Sequence, residues 1–170
     1  LNYNERTGKY SFFSVQQKAW HNLGQIVEQY PTSAEAIKYA GLDFEVIKSP
    51  LYTRGTGISI SDDGEIKEGG NILLPDNFAT MRTDTNTVFG VVGKDYQIVQ
   101  NADAFAFFDA IVGGGEGILY QTAGALGNGE RIFITAKLPD YIRVGNGDDV
   151  TEKYIFLTTS HDGTGSITAA

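Results

Sequence analysis

The sequence predicts an α+β fold: a mainly antiparallel, mixed sheet built from hairpins, with one long and one short helix packed on it. Three observations carry that expectation. Short alternating or β-rich runs outnumber helical ones. Most neighbouring runs are joined by turn-length segments rich in Gly, Asn and Asp. Only two stretches carry helical signals, one through its apolar spacing and one through its start and stop residues.

The organising stretch runs from Val88 to Lys137. Asn101–Val112 places Ala104, Phe107, Phe108 and Ile111 at i, i+3, i+4 and i+7, with Phe105 and Val112 widening the stripe. Asn101 is expected as the N-cap, Asp103 suits the first turn, and Gly113 supplies the stop. Val88–Val92 precedes this helix as a strand. Ile118–Ala123 and Arg131–Leu138 follow it as a hairpin around Gly127-Asn-Gly129.

Taken in order, Leu1–Lys18 reads as mostly irregular, with Tyr10, Phe12, Phe13 and Val15 available to pack on the body. Thr32 and Glu35 form a capping box for a short helix that turns Ala36, Ile37 and Ala40 inward and stops at Gly41. Leu42–Lys48 alternates as a half-buried strand with Leu42, Phe44 and Val46 on one face, ended or made an edge by Pro50. Asp63-Gly64 between alternating arms marks residues 54–71 as a projecting hairpin insertion, dispensable for folding. Phe78–Thr83 and Val88–Val92 flank a turn at Asp84–Asn86. Pro139-Asp140 reads as punctuation before a last hairpin, Ile142–Val144 with Tyr154–Thr158, around Gly145–Asp149. No repeat or linker divides the chain, so residues 1–170 read as a single domain.

Composition narrows the function. No apolar run approaches the roughly 20 residues that cross a bilayer, so no membrane partner is expected. With no cysteine, disulfides and thiolate metal sites are excluded, and the polar start shows no secretory signal, so a cytoplasmic setting is expected. A net charge of −8 argues against tight duplex-DNA binding, which needs concentrated Lys and Arg.

Candidate chemistry is sparse. The glycines at 113–117 follow a helix rather than precede one, where a phosphate would meet the wrong end of the dipole, so they read as a linker and not a phosphate loop. His21 and His161 are the only histidines. Ser160-His161-Asp162 alternates faces and forms no triad by itself, and a metal site from His21, His161 and Asp162 lacks ligands. Strand-borne Tyr52, Tyr96, Tyr120, Tyr141 and Tyr154, with Lys94, Arg131, Lys137 and Arg143, can form a stacking platform for single strands, or simply fill half-buried strand positions.

Trp20-His21-x-Leu23-Gly24, Pro31–Ala36, Ala40–Phe44, Pro50–Tyr52, Ala79–Asp84, Gly90–Gly93, Tyr96-x-Ile-Val-Gln-Asn101, Ala104-Phe105, Tyr120-x-Thr-Ala-Gly124 and Thr158–Gly163 follow one another in a specific order. Together they resemble the phage/plasmid-like family defined by domain of unknown function 932. The resemblance spans Trp20 to Gly163, and implies a bacterial protein of mobile elements, here the N-terminal part of a longer one. It supplies no catalytic residue and no cofactor.

The leading expectation is a non-enzymatic factor in mobile-element DNA metabolism, supporting recombination or replication through single-stranded nucleic acid. The alternative is an interaction module for a host or phage protein. The third is a metal-assisted hydrolase or nuclease using His21 and His161. Trp20, His21, Tyr96, Arg131, His161 and Asp162 are the candidate functional surface.

Overall fold

An apolar stripe forces its helix against a sheet, and here the stripe is narrower than its spacing suggests. In the computed structural model, which describes residues 1–112, 119–143 and 150–170, α2 spans Asn101–Val112. Ala104, Phe105 and Phe108 are buried, whereas Phe107 is 44% exposed on the rim of the arc they centre. The helix start also differs. Gln100 takes the cap position: its carbonyl accepts the Ala104 N–H at 3.1 Å and its own N–H donates to Asp103 Oδ2 at 3.1 Å. Asn101 instead turns inward, donating from Nδ2 to the Leu42 and Phe44 carbonyls at 3.0 and 3.5 Å. The expected stop at Gly113 and the Gly145–Asp149 turn lie outside the described residues.

The fold is α+β and sheet-dominated. The N-terminal strands are β1 (Tyr3–Asn4), β2 (Lys9–Tyr10), β3 (Phe12–Val15) and β4 (Gln25–Val27), followed by α1 (Ser33–Tyr39). Next come β5 (Val46–Arg54), β6 (Ile58–Ile60), β7 (Ile66–Glu68), β8 (Asn71–Arg82) and β9 (Val88–Gly93), leading to α2. After α2 follow β10 (Leu119–Leu126), β11 (Arg131–Arg143), β12 (Val150–Ser160) and β13 (Thr168–Ala169). A six-stranded sheet runs β13-β12-β11-β10-β3-β4, antiparallel except for the parallel β3/β4 pair. A second sheet runs β5-β8-β9, and β1/β2 and β6/β7 are two-stranded ribbons.

Two strands depart from expectation. Phe12–Val15 is an interior strand of the large sheet, with Phe13 and Val15 fully buried, where an irregular segment was expected. Four residues buried on both faces show no alternation to read. Pro139-Asp140 does not end a strand either. β11 continues to Arg143, and its register with β12 shifts between Lys137 and Tyr141, the kind of irregularity that accommodates a proline. By contrast, α1 carries the Thr32/Glu35 capping box as read, with Ala36 and Ala40 buried. Leu42, Phe44 and Val46 share the core, although regular pairing begins only at Val46 and continues past Pro50 along an edge strand.

Both helices lie on one face of the six-stranded sheet, α1 against β3 and β10 and α2 against β11. Phe13, Val15, Ala123, Ala125, Ile132, Ile134, Ala136 and Leu157 of that face join Phe105, Phe108 and Tyr120 in one core cluster. No helix among the described residues is long and apolar enough to cross a membrane.

Phe108→Ala should lower unfolding free energy by about 3–5 kcal/mol, the usual result of emptying a packed aromatic site. Asp109 is no bystander, because its Oδ1 accepts the hydroxyl of buried Tyr120 at 2.5 Å. Asp109→Ala should therefore cost about 1–3 kcal/mol. Denaturant midpoints order the three proteins, and equal midpoints for wild type and Phe108→Ala would remove α2 from the core.

The β6/β7 ribbon pairs only with itself, and Ile58, Ile60 and Ile66 are each at least 70% exposed. Replacing residues 57–69 by a short Gly/Ser turn should leave a single cooperative transition at an unchanged midpoint, since an isolated two-stranded ribbon contributes little.

Candidate nucleic-acid interface

Sheet alternation decides what the uncovered face presents. Cross-strand partners share a face, so the pairs Arg131/Ser160, Phe133/Thr158, Thr135/Phe156 and Lys137/Tyr154 all lie opposite the helices. Gly124 pairs with both Phe12 and Phe133, and lacking a side chain it lets those two rings meet across β10. Ring centroids are 5.4 Å apart for Trp20–His21, 5.0 Å for His21–Phe12, 6.2 Å for Phe12–Phe133 and 6.5 Å for Phe133–Phe156. The result is a row of aromatic rings from β3 to β12 that is covered in its middle, where Phe12 is only 5% exposed and in edge contact with the His21 ring. Trp20 is 92% exposed at one end, and Phe156 and Tyr154 are nearly half exposed at the other.

Charge along this row is modest. Lys137 makes a close ion pair with Glu152, whose other oxygen accepts the Tyr154 hydroxyl at 2.7 Å. The hydrogen bond with Glu152 raises the Lys137 pKa, and the same bond followed by that from Tyr154 lowers the Glu152 pKa. Arg131 is exposed, and its Nη2 donates to Thr164 Oγ1 at 3.4 Å.

Four of the six candidate residues converge beside β12. The Tyr96 hydroxyl donates to the Ser160 carbonyl at 3.2 Å. Burial, then the charge of Asp162, raises its pKa. Burial alone would raise the Asp162 carboxyl, but hydrogen bonds from Thr164 and the charge of Arg131 hold it below the ordinary range. His161 is buried, its ring stacked 6.0 Å from Phe89 with Nε2 2.8 Å from Asn101 Oδ1. Because Asn101 Nδ2 is committed to carbonyls, Oδ1 is the acceptor and Nε2 carries the proton. Trp20 and His21 stand elsewhere, His21 against Phe12 and Trp20 against His21, with His21 Nδ1 accepting the Leu23 N–H at 3.1 Å. No group of three His, Cys, Asp or Glu side chains able to hold a metal occurs among the described residues.

The tyrosine reading needs correction. Tyr120 is a core residue between Phe105 and Phe108, and Tyr96 is half buried against Ser160. Tyr52 and Tyr154 are exposed, and the side chains of Tyr141 and Arg143 lie outside the described residues. The rings that make the surface are mainly Phe133 and Phe156, which a search restricted to tyrosine passes over. Their signal was a phenylalanine in the polar phase of a strand, as in Arg131-Ile-Phe133-Ile-Thr135-Ala-Lys137.

His161 also makes the fold sensitive to acid. Burial pushes its pKa down from 6.5 to about 4, against a weaker pull from Asp162. The unfolded chain therefore takes the proton first, and stability should fall as pH drops from about 6.5 to about 4, by up to roughly 3 kcal/mol. Chemical denaturation across that range should show the slope in the wild type and lose it in His161→Gln.

Residues 88–170 match the model of a family described as a domain of unknown function, DUF932. The match takes in the motifs from Gly90 to Gly163 but not those from Trp20 to Asp84. No curated protein and no solved structure matches the chain. The Phe133 and Phe156 end of the ring row and the His161 cluster fall inside the matched span, whereas Trp20, His21 and Phe12 fall outside it.

Proposed function

We propose that this chain is a non-enzymatic factor of mobile-element DNA metabolism that holds single-stranded nucleic acid on the open face of the six-stranded sheet. The observation that carries this reading is the ring row from Trp20 to Phe156, with Arg131 and Lys137 in the same strand phase. Unstacked bases offer a π-face to such rings whatever their sequence, and scattered cations are enough to follow the backbone. The resemblance to phage- and plasmid-borne proteins supplies the setting, and with it a cytoplasmic location. A second reading, a module that docks on a host or phage protein, draws on the exposed isoleucines of the β6/β7 ribbon.

Fluorescence anisotropy with labelled oligothymidine tests the first reading. Binding should favour the single strand over a duplex of equal length. Phe156→Ala and Tyr154→Ala should each weaken it by about fivefold or more. With few cations on the face, the salt dependence should be shallow, near −0.7 in log–log slope for each phosphate neutralised. Unchanged affinity in both variants would move the contact off this face, and no binding at low salt would transfer the weight to the interaction module.

A further inference from the structure

A second concavity lies apart from the ring row, between the β1/β2 ribbon and the end of α1. We propose that it binds a nucleoside phosphate. Its volume of about 660 Å³ falls in the range of about 300–1,000 Å³ usual for small-ligand sites. In a chain of net charge −8, its lining holds Arg6, Lys9 and Lys38 against the single carboxylate of Asp43. Arg6 shares Asp84 at 3.6 Å, but the ammonium groups of Lys9 and Lys38 have no hydrogen-bond or ion-pair partner among the described residues.

Unpaired lysines are common on any surface. What singles these out is the company they keep. Tyr3, Tyr10 and Tyr39 line the same hollow, between 36% and 49% exposed, and their hydroxyls likewise lack partners among the described residues. Tyr3 and Tyr10 face each other across the ribbon with ring centroids 5.0 Å apart. Five donors without a hydrogen-bond partner, of which Lys38 also feels the charge of Glu35, and two adjoining rings around one cavity suit a ligand with a planar ring, several acceptors and a negative charge. A nucleobase fits the rings, a phosphate the lysines, and a ribose the hydroxyls.

The walls are already in place. Asn4 Oδ1 accepts the Arg6 and Thr7 N–H groups at 3.0 and 3.3 Å and shapes the ribbon turn. On the far wall, Gln25 Nε2 donates to the Tyr39 carbonyl at 2.6 Å and fastens α1 to β4. A ligand therefore meets a largely preformed site. The inference does not rest on the sheet-face reading, because none of the exposed rings of that row lines this cavity.

Calorimetry with thymidine monophosphate, thymidine and inorganic phosphate tests it on the whole chain. The monophosphate should bind at least tenfold tighter than either fragment. Lys9→Ala and Lys38→Ala should each weaken it about tenfold, and Tyr10→Ala comparably, with unchanged circular dichroism. Phe156→Ala should leave it unaltered, which separates this site from the open face. A 5′-phosphorylated tetrathymidylate identifies the source. If it binds, with the same lysine dependence, where the free monophosphate does not, the ligand is a strand end. If both bind alike, it is a free nucleotide. Equal affinity for thymidine and its monophosphate, wild-type affinity in both lysine variants, or no binding of either phosphorylated ligand at millimolar concentration would overturn the proposal.

Discussion

The fold is arranged around one buried charge. Arg82, at the end of β8, is 1% exposed, and its guanidinium lies 3.8 Å from the centre of the Phe44 ring. Nε and Nη2 donate to the two oxygens of Asp84 at 2.5 and 2.9 Å, and Nη1 reaches Asn2 Oδ1 at 3.2 Å and the Asn128 carbonyl at 3.3 Å. An ion taken from water is tolerated only when its donors are met, and removing one partner of such a pair is far more damaging than the pair is stabilising. Arg82 thereby ties the β5-β8-β9 sheet to the start of the chain and to the β10–β11 turn of the large sheet. Burial alone would raise the Asp84 carboxyl, but the hydrogen bonds and charge of Arg82, helped by Arg6, hold it below its ordinary value. The turn opposite has no freedom left: Gly129 has φ of +106°, and a Cβ there would lie 2.7 Å from Arg82 Nη1.

A second seam completes the join at the start of α2. Gln100 extends its side-chain amide alongside Val46, Oε1 accepting the Val46 N–H at 3.0 Å and Nε2 donating to its carbonyl at 2.8 Å. One residue on, Asn101 clasps the Leu42 carbonyl and His161. The entry of the helix is thus fastened to β5 and to the end of β12 by polar groups that local capping rules assign to the helix itself. These contacts place Tyr96, His161 and Asp162 in one cluster, while the ring row across the sheet has a separate origin in strand alternation.

That division explains what could be read from the chain. The α2 stripe, the α1 capping box, the hairpins and the edge character at Pro50 are local patterns, and local patterns are legible. The interior placement of β3 is not, because four residues buried on both faces carry no period. Nor is the inward turn of Asn101, whose side chain answers to residues some 60 positions away in sequence. Phe107 marks the same limit within one helix: the apolar spacing admits it, and only the position of the sheet decides that Phe105 rather than Phe107 is covered. For the candidate surface, Trp20, Tyr96, Arg131, His161 and Asp162 were visible as residue types. The rings that link into a row depended on pairing β3 to β10, which the sequence conceals.

The continuity of the open face rests on a missing side chain. At Gly124 an added Cβ would lie 2.7 Å from the Ser11 carbonyl oxygen and 3.1 Å from both the Phe12 and Phe133 rings. Any other residue would push β3 from β10 or part the two rings, so one glycine joins the N-terminal aromatics to those of β11 and β12. Electrostatics acts on the face in the opposite direction. Lys137 is neutralised by Glu152, and the remaining acidic excess of the chain is not relieved there. If the face serves the proposed function, a surface that is ring-lined and carries little net charge would attract a polyanion weakly at long range and hold unstacked bases only on contact. Under the proposed function, a preference for single strands would follow from geometry: a paired base keeps both faces stacked within its own helix and has none to offer to Phe133, Phe156 or Trp20.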